Sequence, residues 1–435
     1  MTNETGVKPI WPPGSSLEQQ FVLAVLGRQI PEREEAWREL LPQVNWPQLL
    51  EVTRPDLYPY LHFCLQTRVG AGFCPREVMR QLAASRQLTA LRNLRRLAEL
   101  REIQTALATQ NIPILGLKGI VLAFVAYKDP SLRPMNDIDF FLDEKNVAAA
   151  ARILGKLGYT CPDRLRGLHF EGEIKFQKRG AQSLVELHTQ IELTAPTSAE
   201  HAADIWSRSV KLRISDFEVR TLSRQDFLFH LCLHMARRHC YATGFLPFVD
   251  ILKWVETHEA DWDWPSLIRT ARSKKYQAYV DLTLDLASDF LGIPIPPFLV
   301  SNLPDVTVMK DIAWQQICDD RRVQNFVPIG LVELLNAGSV SSLLGALLNR
   351  LRPMQGNVRR SAADVSRHNF MALLRLLKAL RAGNLSRTRV RRQVCLQQQR
   401  EQLATLLRNR DRNPRDQVVS AQDTATPSSS LSPGT

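Results

Sequence analysis

The sequence predicts an α+β protein: a small mixed sheet with helices, flanked by N- and C-terminal helical regions. Apolar residues recur at helical spacing from residue 16 to 110 and again from Ser223 onward. Between these stretches the period shortens to two, in "NDIDFFLD" and in "EIKFQKRGAQSLVELHTQIEL". The chain has 435 residues, 44% of them hydrophobic, which is enough for two to three structural units.

Residues 1–15 form a flexible N-terminus without the positively charged start and apolar core of a secretory signal. Residues 16–110 make a helical leader with breaks at Pro42, Pro47 and Pro59. Its long run places Leu88, Leu91, Leu94, Leu97 and Leu100 at every third position, beside an arginine-rich face. Residues 111–221 form the α/β domain. "IPILGLKG" reads as a strand ending in a Gly-Leu-Lys-Gly turn, "IVLAFVAY" as a buried helix and "NDIDFFLD" as a second strand. "EKNVAAAARILGKLGY" is an amphipathic helix ended by Gly158; Asp143 and Glu144 stand at its start, where acids favour the dipole. A hairpin turning at Gly180 follows.

Residues 222–300 form a helical substrate-side domain, opened by the S-x-x-D capping pattern of Ser223 and Asp226. Within it, Asp250 lies in the apolar context "FLPFVDILKW", so its carboxylate needs a partner, expected to be Arg237 or His234. Residues 301–410 are a basic helical region. The stretch Leu331 to Leu348 is too interrupted by polar residues to span a membrane and reads as two short packed helices. Residues 411–435, rich in Ser, Thr, Pro and Gly, read as a disordered tail.

The net charge of +12 is unevenly placed. From Arg350 onward there are 17 Lys/Arg and 5 Asp/Glu, 17 − 5 = +12, so the rest of the chain is balanced. Arg387, Arg389, Arg391 and Arg392 could contact RNA or an acidic partner. The absence of aromatic residues after Phe370 favours electrostatic contact over base stacking. Seven scattered cysteines without a C-x-x-C pair suit reduced thiols in a cytoplasm, and no zinc spacing is present.

The chemistry concentrates in the strand "NDIDFFLD". Asp137 and Asp139 flank Ile138, so on a strand both carboxylates emerge on one face, and they repel unless a cation sits between them or one takes up a proton. Mg²⁺ (or Mn²⁺), a hard ion shared with substrate phosphates, suits such a pair. Lys118 and Gly119 stand at a glycine turn entering a helix, a place for phosphate. On the second arm of the hairpin, Leu184, Glu186 and His188 share a face, so Glu186 is the candidate third carboxylate. A phosphate turn, an acid pair and a third acid on a neighbouring strand are the parts of a nucleotidyl transfer site.

The stretch "LKGIVLAFVAYKDPSLRPMNDIDFFL" resembles the DNA polymerase β-like nucleotidyltransferase superfamily. Within it, the chain is similar to a bacterial family labelled uncharacterised nucleotidyltransferase. The blocks "GKLGYT", "VELHTQIEL", "LSRQDFLFHLCLHMARRH", "FVDILKW" and "DWDWPSLIRTARSKK" follow in the expected order, so the resemblance covers roughly residues 111–297. The order Lys-Gly, Arg, Asp-x-Asp also resembles the nucleotidyltransferase toxins of abortive-infection systems. Lys118-Gly119 departs from the superfamily's usual Gly-Ser turn.

The resemblance implies a two-metal transfer of a nucleoside monophosphate from an NTP to an unidentified hydroxyl on a small molecule, RNA or protein, with pyrophosphate released. Asp137, Asp139 and Glu186 would be catalytic metal ligands; Lys118, Gly119 and Arg133 would neutralise and hold the triphosphate. His188, His234 and His239 are candidates for lining the cleft. His230 and His234 are four apart, yet no Glu lies between them as in the zinc protease motif, so local partners are the better reading. The alternative function is a non-catalytic helical protein that holds nucleotide or nucleic acid; such a binder has no need of three converging carboxylates.

Overall fold

The computed structural model describes residues 11–161, 173–178, 180, 183–191, 199–259, 262–296, 306–318 and 387–412. The leader is a stack of helices: α1 (Leu17–Leu26), α2 (Pro31–Leu40), α3 (Trp46–Val52), α4 (Tyr58–Cys64) and the 33-residue α5 (Arg76–Ala108). Helix α1 opens on a capping box, with the Ser16 hydroxyl accepting from the Gln19 N–H and the Gln19 side chain accepting from the Ser16 N–H. The prolines expected as breaks act as starts: Pro47 and Pro59 sit in the first turns of α3 and α4, where a missing N–H costs nothing.

The leucine run does not mark the buried face of α5. Leu88, Leu91 and Leu94 are exposed, while Val78, Leu82, Thr89, Asn93, Arg96, Leu100, Ile103 and Leu107 are buried. Each three-residue step falls about 60° short of a full 3.6-residue turn, so a strict i+3 series spirals off any one face. The buried series advances by alternating threes and fours and stays in line.

Among the described residues the sheet has seven strands: β1 (Leu115–Gly116), β2 (Asp137–Phe141), β3 (Tyr159–Thr160), β4 (Glu173–Lys178), β5 (Leu184–His188), β6 (Val210–Ile214) and β7 (Phe217–Thr221), in the spatial order β3-β4-β5-β2-β1-β7-β6. It is mixed, with β2 central, parallel to β5 and antiparallel to β1. Gly180 lies between β4 and β5 with φ +81°, a backbone that suits glycine. The β6–β7 hairpin is absent from the sequence reading. Its alternation in "VKLRISDFEVRT" is a signal, but the exposed charges of Lys211, Arg213, Glu218 and Arg220 interrupt the apolar residues, so no apolar run announces it.

Helices α6 (Lys118–Val121), α7 (Val147–Lys156) and α8 (Ala199–Arg208) accompany the sheet. Then follow α9 (Arg224–Leu233), α10 (Leu246–Thr257), α11 (Trp264–Ser273), α12 (Gln277–Leu291), α13 (Val306–Cys318) and α14 (Arg387–Arg412). Ser223 caps α9 by accepting from the Asp226 N–H, and Arg208 pairs with the Asp226 carboxylate at 2.9 Å. Arg33, buried, donates to the carbonyls of Phe290 at 2.8 Å and Asp289 at 3.0 Å, so a guanidinium from the leader satisfies the C-terminal end of α12. Leader and later helices therefore share one core.

The arginine cluster begins a docked helix: Leu403 and Leu407 of α14 are buried, and Gln316 of α13 donates to the Leu396 carbonyl at 3.1 Å. The side chains of Arg387, Arg389, Arg391 and Arg392 lie outside the described residues, as do the stretch Leu331 to Leu348, residues 1–10 and the tail from residue 413. No described helix is long and apolar enough to cross a membrane.

Where α12 meets α14, Asp411 accepts from the Ala278 N–H at 3.0 Å, and Asp281 is buried with Oδ1 unpaired. Burial pushes the Asp281 carboxyl up to about 7, with Asp411 and Asp285 adding repulsion. The native state thus keeps a proton that the unfolded chain releases near pH 4, and stability falls as pH rises from about 4 to about 7. Asp281→Asn should remove that slope and add on the order of 2–4 kcal/mol at pH 8 relative to wild type. Urea midpoints at pH 5 and pH 8 test it; equal pH dependence in both proteins would show that Asp281 stays ionised.

Candidate active site

Strand parity and strand pairing together build the site. Asp137 and Asp139 share one face of β2, while Ile138 and Phe140 turn into the core and are fully buried. The parallel register sets Asp139 beside Glu186 and Phe141 beside His188. On the far side of β5 the antiparallel register sets Lys175 beside Glu186 and Glu173 beside His188. A row of charged residues therefore crosses three strands on one face.

The ligand-capable atoms of Asp139, Glu186 and His188 lie within 4.8 Å of one another, and all three residues are buried. His188 Nε2 lies 2.7 Å from Asp139 Oδ1 and 3.8 Å from a Glu186 oxygen. Lys118 donates to the same Asp139 Oδ1 at 2.8 Å. The other oxygen, Asp139 Oδ2, is buried with no hydrogen-bond partner. A buried carboxylate oxygen left open beside a second acid and an imidazole fits a divalent cation. Asp137 stands one step along β2, outside that set of three, and joins it through charge.

The electrostatics of the two aspartates diverge. Burial pushes both carboxyls up, but for Asp139 the Lys118 ammonium and the His188 hydrogen bond outweigh burial and hold it far below the usual range. Asp137, half-buried and repelled by Asp139, is pushed up to about 6. Glu186 is pushed up to about 7 by burial and by both aspartates, although Lys175 holds its Oε1 at 2.5 Å. The His188 imidazole is held down by burial and by Lys118.

Lys118 heads α6 with φ +45°, a strained backbone for a residue with a side chain. Gly119 serves close packing: a Cβ there would stand 2.7 Å from Arg133 Nη1 and 2.9 Å from Met135 Cγ. Arg133 itself is spoken for. Its Nε and Nη2 donate to Asp250 at 3.0 and 2.8 Å, its Nη1 donates to the Pro134 carbonyl, and the Tyr127 hydroxyl adds a third bond to Asp250. The partner of Asp250 is therefore Arg133, and neither Arg237 nor His234 as the sequence suggested; the guanidinium comes from the loop before β2, 117 residues away along the chain, where no count of helical spacing could find it.

His234 and His239 meet ring to ring at 4.6 Å on the π-helical turn His234–Arg238 that extends α9 and just beyond it. Burial and the charge of Lys118 hold the His234 imidazole well below its usual pKa. Three polar residues escaped the sequence reading. Lys175 bridges Glu173 at 2.6 Å and Glu186, and Arg238 pairs with Glu173. The alternation Glu173-Ile-Lys175 on the first hairpin arm carried the signal, since parity places both on the Glu186 face.

The α+β domain thus sets two acids on a central strand and a third beside them, with helices on the flank. The model of the family described as uncharacterised nucleotidyltransferase matches residues 42–292, and the chain belongs to that family. The match begins well before residue 111 and takes in α3 to α5. No curated protein and no solved structure matches the chain.

Proposed function

We propose that the protein transfers a nucleoside monophosphate from an NTP to a hydroxyl acceptor, on a polymerase β-like arrangement, with Mg²⁺ or Mn²⁺ as cofactor. The observation that carries this reading is the register of Asp139 beside Glu186 on adjacent parallel strands, with Asp139 Oδ2 buried and open. Asp137, Asp139 and Glu186 are the residues to hold the ion, joined by His188. When bound, the ion would polarise the phosphate and favour the ionised acceptor.

The chain's own residues do the rest. The acceptor oxygen forms a bond to the α-phosphorus, the bond from that phosphorus to the β-phosphate oxygen breaks, and pyrophosphate leaves. The acceptor proton goes to a carboxylate of the acid set, with Glu186 in the position of base. Lys175 orients Glu186 by holding one of its oxygens. Lys118 supplies a compact positive charge beside the acids. Arg133, whose nitrogens bond Asp250 and Pro134, shapes the approach to β2 rather than gripping phosphate.

Incubating the purified protein with each α-labelled NTP, Mg²⁺ or Mn²⁺ and a cell extract tests the reading. Label is expected on one acceptor class, and Glu186→Gln should lower its rate by about 10²–10⁴-fold, the usual worth of a general base. Absence of labelling with every NTP, together with no nucleotide-dependent rise in thermal midpoint, would count against both transfer and binding.

A further inference from the structure

We propose that Arg96, on the long helix α5, is an anion-binding residue of this site and takes the polyphosphate of the incoming nucleotide. The inference rests on the transfer reading and adds a residue to it. Helix α5 turns a polar stripe toward the loop that leads into β2. Arg86 donates to the Ser131 hydroxyl and to Asp129, each at 2.9 Å, and Asn93 donates to the carbonyls of Pro130 and Arg133, each at 2.7 Å. Arg96 follows Asn93 by three residues, on the same side of the helix, and lies within the field of Asp137, the first residue of β2.

Arg96 is 4% exposed, yet its Nε and Nη1 are buried without any hydrogen-bond partner. Glu99, three residues on with its own Oε2 buried and unpaired, and Asp137, the first residue of β2, act on it only through their fields. The other buried guanidiniums are better satisfied: Arg33 spends both terminal nitrogens on carbonyls, and Arg133 spends every nitrogen on Asp250 and Pro134. A buried charged donor left open costs more than a neutral one, and it persists where an absent partner completes it. That partner is anionic, because guanidinium can only donate. It is also multivalent in acceptors, since Nε–H and the Nη1 N–H groups diverge on the planar guanidinium and call for separate oxygens, as a polyphosphate supplies. With the fork of Arg133 closed on Asp250, Arg96 is the open guanidinium beside the acid strand among the described residues.

Titration of wild type, Arg96→Gln and Arg96→Lys with Mg²⁺ plus each ribonucleoside triphosphate, with inorganic triphosphate and with the free nucleosides distinguishes the outcomes. Arg96→Gln should weaken binding of NTP and of inorganic triphosphate by the same factor, about 10-fold or more, since a buried phosphate contact is lost. Arg96→Lys, with charge but no fork, should fall between. Nucleoside binding should not change. The apo midpoint of Arg96→Gln should hold or rise, because an unsatisfied buried charge is removed. Arg96→Gln binding triphosphate as wild type does would overturn the proposal while leaving the transfer reading intact. A collapse of the apo midpoint in both variants would make Arg96 structural and overturn it as well. A wild type that binds none of the probes sinks the transfer reading and this one together.

Discussion

Asp139→Asn and Asp137→Asn should both abolish nucleotide transfer, and they should move the apo midpoint in opposite directions. In the folded chain Asp139 is the counter-charge of buried Lys118 and the hydrogen-bond partner of His188. Its carboxyl is held below the unfolded value, so it contributes stability above the unfolded pKa and loses it as pH falls. Asparagine removes that contribution at neutral pH and leaves the Lys118 ammonium uncompensated, a loss on the order of 3–5 kcal/mol. Asp137 has the reverse sign. Its carboxyl is pushed up to about 6 by burial and by Asp139, so its ionised form weakens the fold once pH rises through that value. Asp137→Asn should therefore stabilise the apo protein at pH 8, by at most about 3 kcal/mol for a shift of this size. Thermal midpoints at pH 8 in chelator, with transfer rates beside them, make the comparison. Mg²⁺ with NTP should raise the wild-type midpoint and neither variant's. Shifts of the same sign in the two variants would refute the electrostatic division between the aspartates.

Asp250→Ala should be the most destabilising single change outside the acid set. Asp250 is 3% exposed and receives Arg133 twice and Tyr127 once. Removing it leaves a guanidinium buried and unpaired, which costs on the order of 3–5 kcal/mol. Transfer should fall with it, because Arg133 holds the Pro134 carbonyl just before β2 and packs against Gly119 in the first turn of α6. The double variant Arg133→Met with Asp250→Leu separates two roles, since an apolar pair of similar volume often restores stability. If stability and transfer return together, Arg133 positions the strand. If stability returns alone, Arg133 touches the nucleotide, as the sequence resemblance implied.

What could be read directly from the chain is what depends on short spans. The pairing of Asp137 with Asp139 on one face follows from a period of two, and so does the common face of Glu186 and His188. The β4–β5 hairpin was visible because both arms and the turn at Gly180 are contiguous. The Ser223 cap of α9 needs only four residues. Each of these is set by backbone geometry within a few bonds, and no distant residue can alter it.

Only the tertiary structure decided the partners. The choice of β5 as the parallel neighbour of β2 placed Glu186 beside Asp139; another strand order would have left the same parity with the acids apart. Arg133 and Asp250 are 117 residues apart, and the sequence offered Arg237 and His234 as nearer partners for the same buried carboxylate. The leucines of α5 recur at every third position, yet the packed face includes Asn93 and Arg96, because part of what lies opposite the helix is the polar loop that leads into the acid strand. Side-chain chemistry states what a residue needs, an acid a cation and a guanidinium an anion. Which group meets that need depends on chain segments brought together by burial of the whole core, and that information is not local.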